Sequence, residues 1–137
     1  MTRLLLSWLL VAVSIAGCIT YQNKTKTTPP PDPFEMVCEA LEADCSDVEE
    51  PVIVYTRLTQ FLGVLGGHIG GETYVFIDPD GPHMWKTTLH EITHYVAWQT
   101  GITRERCESE EMARVVASRL TNTEVDSTWA ERYGCER

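Results

Sequence analysis

The sequence predicts a small α+β domain, and three observations carry that expectation. Apolar residues recur at helical spacing over about 34–44, 82–100 and 107–120. Two short runs rich in β-branched and aromatic residues, "PVIVYTRL" (51–58) and a segment at about 72–78 containing "TYVFID", read as strands. The resulting order is helix, strand, strand, helix, helix, which keeps strands and helices in separate blocks.

The chain begins with "MTRLLLSWLLVAVSIAG", residues 1–17, almost wholly apolar after Arg3. A short basic start and an apolar run too short to span a bilayer comfortably match a secretory signal. Ala16 and Gly17 precede Cys18, so the segment resembles the bacterial lipobox, where cleavage leaves the cysteine to carry lipids. An ordinary cleaved signal or an uncleaved anchor is the alternative. Residues 18–33, ending "NKTKTTPPPDP", are polar and proline-rich and read as a tether that cannot bury a core. The folded unit is then 34–137. The expected location is the exported side of the cell envelope membrane, held by a lipid anchor.

Each later element has its own signal. "FEMVCEALEAD" places Met36, Val37, Ala40 and Leu41 on one helical face. "FLGVLGGHIGG" carries the pairs Gly66-Gly67 and Gly70-Gly71 and reads as a glycine-rich loop, with His68 a loop residue. "DPDGP" closes the second strand, and Pro82 suits the first position of a helix. That helix runs to about Thr100, where Gly101 supplies a left-handed stop. A second helix follows over Cys107–Leu120, and "STWAERYGC" forms a last short one.

Charge and cysteines narrow the function. The net charge is −9, and loss of Arg3 with the signal makes the mature chain more acidic still. That argues against nucleic acid as a partner. Setting Cys18 aside leaves Cys38, Cys45, Cys107 and Cys135, an even number in an exported small domain, and so two disulfides. Three connectivities exist, and the preferred one is Cys38–Cys45 with Cys107–Cys135. The local bridge has a condition. Seven helical residues separate Cα atoms by about 10.5 Å and a disulfide spans at most about 7 Å, so the first helix must end before Cys45. No CxxC spacing supports a cysteine metal site.

The segment that carries chemistry is "TTLHEITHYVAWQT", Thr87 to Thr100. On a helix His90 and His94 fall about 40° apart, one turn from each other, and can share one metal ion. Trp85, Leu89, Ile92 and Val96 form a stripe on the opposite side, expected to pack into the core. Glu91 projects about 100° from His90, badly placed to chelate but able to reach a water held by the metal. Zinc is the expected ion, with Glu91 as general base. The plain alternative is two exposed helical histidines beside a surface glutamate.

A zinc site of this kind needs a third protein ligand. No third histidine follows in H-x-x-G-x-x-H form, so the metzincin pattern fails. "CESEEMARVVASRL" offers Glu108, Glu110 and Glu111. On its helix Glu110 lies about 80° from Leu120, nearest the apolar face of Ala113, Val116 and Ala117, while Glu108 and Glu111 point away. Glu110 is the expected ligand and Glu111 the reserve. His83, seven residues before His90, either lines the cleft or lies on the surface.

"HEITHYVAWQ" followed by "ESEEMARVVASRL" resembles the minimal gluzincins, small zincin-like metallopeptidase domains. The resemblance covers roughly 72–120, and Glu110–Ala113 is similar to the E-x-x-A of their glutamate helix. It implies an N-terminal helix, a short sheet, the H-E-x-x-H helix and a glutamate-bearing helix. It also implies peptide or protein substrates, taken as an added strand along about Glu72–Ile77. Two other readings stand beside a metallopeptidase. One is a disulfide-stapled envelope lipoprotein that binds zinc without turnover. The other is a zinc amidohydrolase acting on cell-wall peptides.

Overall fold

The structure is a computed structural model that describes residues 31–57 and 62–135. The signal, Cys18 and nearly all of the tether lie outside the described residues. These residues belong to one unit, Pro31–Arg137, with four helices and a three-stranded sheet. No helix among them is long and apolar enough to cross a membrane.

Helix α1 is Pro33–Ala40. Asp32 caps it by accepting a hydrogen bond from Phe34 N at 2.8 Å, and Pro33 gives up no needed donor at the first position. It stops four residues short of the expected end at Asp44. Glu42 takes a left-handed φ of 52°, and Ala43 N donates back to Cys38 O at 3.0 Å. That reversal meets the geometric condition for the local bridge. Cys38 and Cys45 are disulfide-bonded with Cα atoms 6.2 Å apart.

Strands β1 (Val52–Tyr55), β2 (Gly66–His68) and β3 (Tyr74–Ile77) form a sheet in the order β1-β3-β2. β1 runs parallel to β3, with Val52 opposite Tyr74, and β2 runs antiparallel to β3, with Gly67 opposite Phe76. Two expectations are corrected here. "GGH" is a strand rather than a loop, and His68 lies in it. β3 is central and hydrogen-bonded on both sides, so it cannot accept a further strand, and among the described residues the free edge on the antiparallel side belongs to β2. The glycines conceal β2 in the sequence because they carry none of the side chains that signal a strand.

Helix α2 is Met84–Gln99 and lies against β2 and β3. It starts two residues after Pro82, because His83 sits at the N-cap in a left-handed conformation, φ 58°. Leu89, Ile92 and Val96 are fully buried, but Trp85 is 40% exposed, against expectation. A helical wheel gives the direction of a side chain, not how far along the axis the packing partners extend. Val37 from α1, Val75 and Ile77 from β3, and Val116 from helix α3 (Arg106–Thr121) complete the core. Tyr95 is buried among them, and its hydroxyl donates to Glu49 O at 2.6 Å.

α3 packs along α2. Glu105 caps it, its Oε2 accepting from Glu108 N at 2.7 Å, and Glu108 Oε2 in turn accepts from Thr103 Oγ1 at 2.7 Å. A short helix α4, Trp129–Tyr133, follows. The second disulfide, Cys107–Cys135, ties the start of α3 to the second residue beyond α4, with Cα atoms 5.6 Å apart.

Candidate metal centre

One face of α2 is core and the other opens on a cleft of about 830 Å³. His90 and His94 project from that second face, one turn apart, with Nε2 atoms 3.1 Å from each other. Glu110, from the first turns of α3, closes a triangle. Its Oε2 is 3.5 Å from His90 Nε2 and its Oε1 is 3.5 Å from His94 Nε2. All three side chains are 15–16% exposed. This group could hold a metal ion, each residue offering one ligand atom.

The distances fit that role. Ligand atoms held about 2.0–2.2 Å from one tetrahedral centre stand about 3.3 Å from each other. Two imidazole lone pairs aimed at one point also repel unless a cation or a shared proton lies between them. Glu110 Oε2 is buried and among the described residues meets only His90 Nε2 at 3.5 Å and Arg114 Nη2 at 3.3 Å, long contacts that leave it able to ligate a metal ion. Burial would raise the Glu110 carboxyl. Hydrogen bonds and charge from His90 and His94 outweigh it and hold the group well below the usual carboxylate range.

Neighbours outside the triangle fix its members. Ser109 Oγ lies 2.6 Å from His94 Nδ1. Arg114 Nη2 lies 3.3 Å from Glu110 Oε2, and its guanidinium sits over the rings of Trp129 (5.6 Å) and Tyr133 (5.1 Å). The sequence reading missed Ser109, Arg114 and Tyr133. Only Arg114 left a signal, as the cation four residues after Glu110.

Glu91 does not join the triangle. It is 8% exposed, on the side of α2 facing the sheet. A Cβ on Gly66 would lie 2.9 Å from Glu91 Cγ and 3.0 Å from Phe76 O, so only glycine lets β2 pass this close to the carboxylate-bearing chain. Burial pushes the Glu91 carboxyl up, against the pull of the nearby histidines. Glu111 is exposed and outside the group, and Glu108 is engaged in the cap of α3. His83 is exposed and lines the cleft. His68 also lines it, its ring edge-on to Tyr95 at 5.5 Å and its Nε2 buried with no hydrogen-bond partner among the described residues.

The chain matches no family model, no curated protein and no solved structure.

Proposed function

We propose that this chain is a zinc metallopeptidase built on a minimal gluzincin-like domain. The observation that carries the reading is the triangle of His90, His94 and Glu110 with the buried carboxyl of Glu91 next to it in sequence. Two imidazoles and one carboxylate suit zinc and leave a position open. When bound, zinc would polarise a substrate carbonyl and make a water molecule acidic near neutral pH.

The chain's own groups would do the rest. Glu91 takes the proton of the attacking water and returns it to the leaving amine. Burial has already raised its pKa, which suits a group that must both accept and release a proton. Ser109 and Arg114 hold His94 and Glu110 in place. A peptide would lie along the free edge of β2, whose backbone groups can pair with an extended chain. It would meet the metal ligands from the β2 side of the cleft.

By its signal and Cys18 the chain would be exported and lipid-anchored, and it would act on peptides of the cell envelope or beyond it. Metal analysis of the purified chain, combined with digestion of a peptide library, tests the reading. Cleavage should vanish in Glu91→Gln while zinc stays bound. A Glu91→Gln protein that still cleaves would end the peptidase proposal. Zinc retention with no cleavage by the unsubstituted chain would favour the binding protein.

A further inference from the structure

We propose that the cleft recognises an acidic peptide, an inference that rests on the peptidase reading and names its substrate class. The basic side chains among the described residues are Arg57, Lys86, Arg104, Arg106, Arg114, Arg119 and Arg132. All but Arg57 and Arg119 line the one cleft that holds the metal triangle. The chain has 20 acidic residues, of which only Glu136 is not described, and Glu91 and Glu110 alone line that cleft. An acidic protein thus gathers its scarce cations where a ligand would lie.

Two of the five are neutralised, Arg114 by Glu110 and Arg132 by Asp126. The other three have no ion-pair partner among the described residues. Among the described residues Lys86 Nζ donates only to neutral oxygens, Thr123 Oγ1 at 2.7 Å and Glu124 O at 3.3 Å. Arg104 rests over Trp98 at 5.2 Å and Arg106 over Tyr133 at 5.9 Å. An aromatic face positions a guanidinium and leaves its N–H fork free for a carboxylate. The helix dipole does not favour Arg106, which stands in the first turn of α3.

Their placement follows the metal triangle. Lys86, His90, His94 and Trp98 succeed one another at four-residue steps along α2 and all line the cleft. Lys86 is therefore about 6 Å along the axis on one side of the histidines, and Trp98 with Arg104 about 6 Å on the other. A chain running between them meets cations both before and after the bond at the metal. A peptide fits better than a nucleic acid, because the net charge of −9 repels a long polyanion and the edge of β2 offers backbone pairing.

The test measures binding, so that it stands apart from turnover. Two labelled peptides, identical except that four Glu in one are Gln in the other, are titrated into the full-length chain carrying Glu91→Gln. Fluorescence anisotropy should show the Glu peptide binding about tenfold more tightly at low salt, with the gap closing as salt rises. Arg104→Glu with Arg106→Glu should erase that preference, and Lys86→Gln alone should reduce it about threefold. Arg57→Glu with Arg119→Glu, away from the cleft, should keep it. The proposal is overturned if the peptides bind equally, if neither binds, or if both double variants lose the preference alike. An oligonucleotide of equal charge binding more tightly than the Glu peptide would overturn it too. Tight binding of the Glu peptide without cleavage by the unsubstituted chain would support the ligand class and sink only the peptidase reading.

Discussion

Ser109 Oγ stands 2.6 Å from His94 Nδ1 and occupies that nitrogen, leaving Nε2 as the one that faces the triangle. In the tautomer whose Nδ1–H donates to that hydroxyl, Nε2 keeps its lone pair and points at His90 Nε2, 3.1 Å away. Partners of this kind typically change metal affinity about 10–100-fold. Ser109→Ala should therefore weaken zinc binding about tenfold. His90→Ala or His94→Ala should abolish it. Competition with a fluorescent chelator measures both, and full occupancy in the histidine variants would remove the site.

Glu110 and Glu111 are neighbours in sequence with opposite environments, one in the triangle and one in solvent. Glu110→Gln removes a charged ligand and should cost at least about tenfold in zinc affinity. Glu111→Gln should change it by less than about twofold, as surface substitutions do. Equal effects from the two would mean that neither carboxylate is the third ligand.

The helices were legible because amphipathic periodicity and end signals act locally. Gly101, with φ 71°, ends α2 where expected, and the phase of α3 turns Glu110 inward. The motif residues were legible because the four-residue spacing of His90 and His94 has a direct spatial meaning. β2 was not, because its identity depends on pairing with β3 and on Gly66 passing Glu91, both long-range facts. The exposure of Trp85 was hidden for the same reason. Ser109 meets His94 only once α3 docks on α2, and Arg114 meets Trp129 and Tyr133 only once α4 docks on α3.

Gly66 and Gly67 are adjacent in β2 and should respond differently to alanine. A Cβ at Gly66 meets Glu91 Cγ, Phe76 O and Thr87 Cγ2 at 2.9–3.0 Å, whereas one at Gly67 meets nothing within 4 Å. Gly66→Ala should lower stability by about 1–3 kcal/mol through overpacking. It should also displace Glu91 and reduce any hydrolysis more than it reduces zinc binding. Gly67→Ala should stay within about 0.5 kcal/mol of the parent. Urea melts of the two variants give the comparison directly. A Gly66→Ala protein as stable and active as the parent would show that β2 does not press on Glu91.

His68 should make stability depend on pH. Burial lowers its pKa from the ordinary value near 6.5, so the folded ring stays neutral where the unfolded ring takes up a proton. Below about 6.5 the unfolded chain then binds more protons than the folded one, and stability rises with pH. The contribution is fully present above that value and is lost as the pH falls from it towards the lower folded pKa. His68→Gln should flatten the slope of unfolding free energy between about pH 5 and 7. An unchanged slope would place the acid sensitivity elsewhere.

The Cys107–Cys135 bridge connects covalent structure to the metal ligands. Cys107 lies in the first turn of α3, three residues before Glu110, and Cys135 follows the helix that carries Trp129 and Tyr133. Those rings hold Arg114, and Arg114 holds Glu110. Opening the bridge should release both ends of that chain of contacts. The closed loop spans a separation of 28 residues, worth about 3–4 kcal/mol in the chain-entropy model. Cys107→Ser with Cys135→Ser should therefore lower thermal stability and weaken zinc affinity together. Cys38 and Cys45 lie seven residues apart, in α1 and the turn after it, neither element supplies a ligand of the triangle, and their loop is worth about 2 kcal/mol. Cys38→Ser with Cys45→Ser should lower stability and leave zinc affinity of the folded protein unchanged. Calorimetry alongside zinc titration below the melting range separates the two. Equal loss of zinc affinity in both double variants would mean that the ligands respond to global stability, not to the tether between α3 and α4.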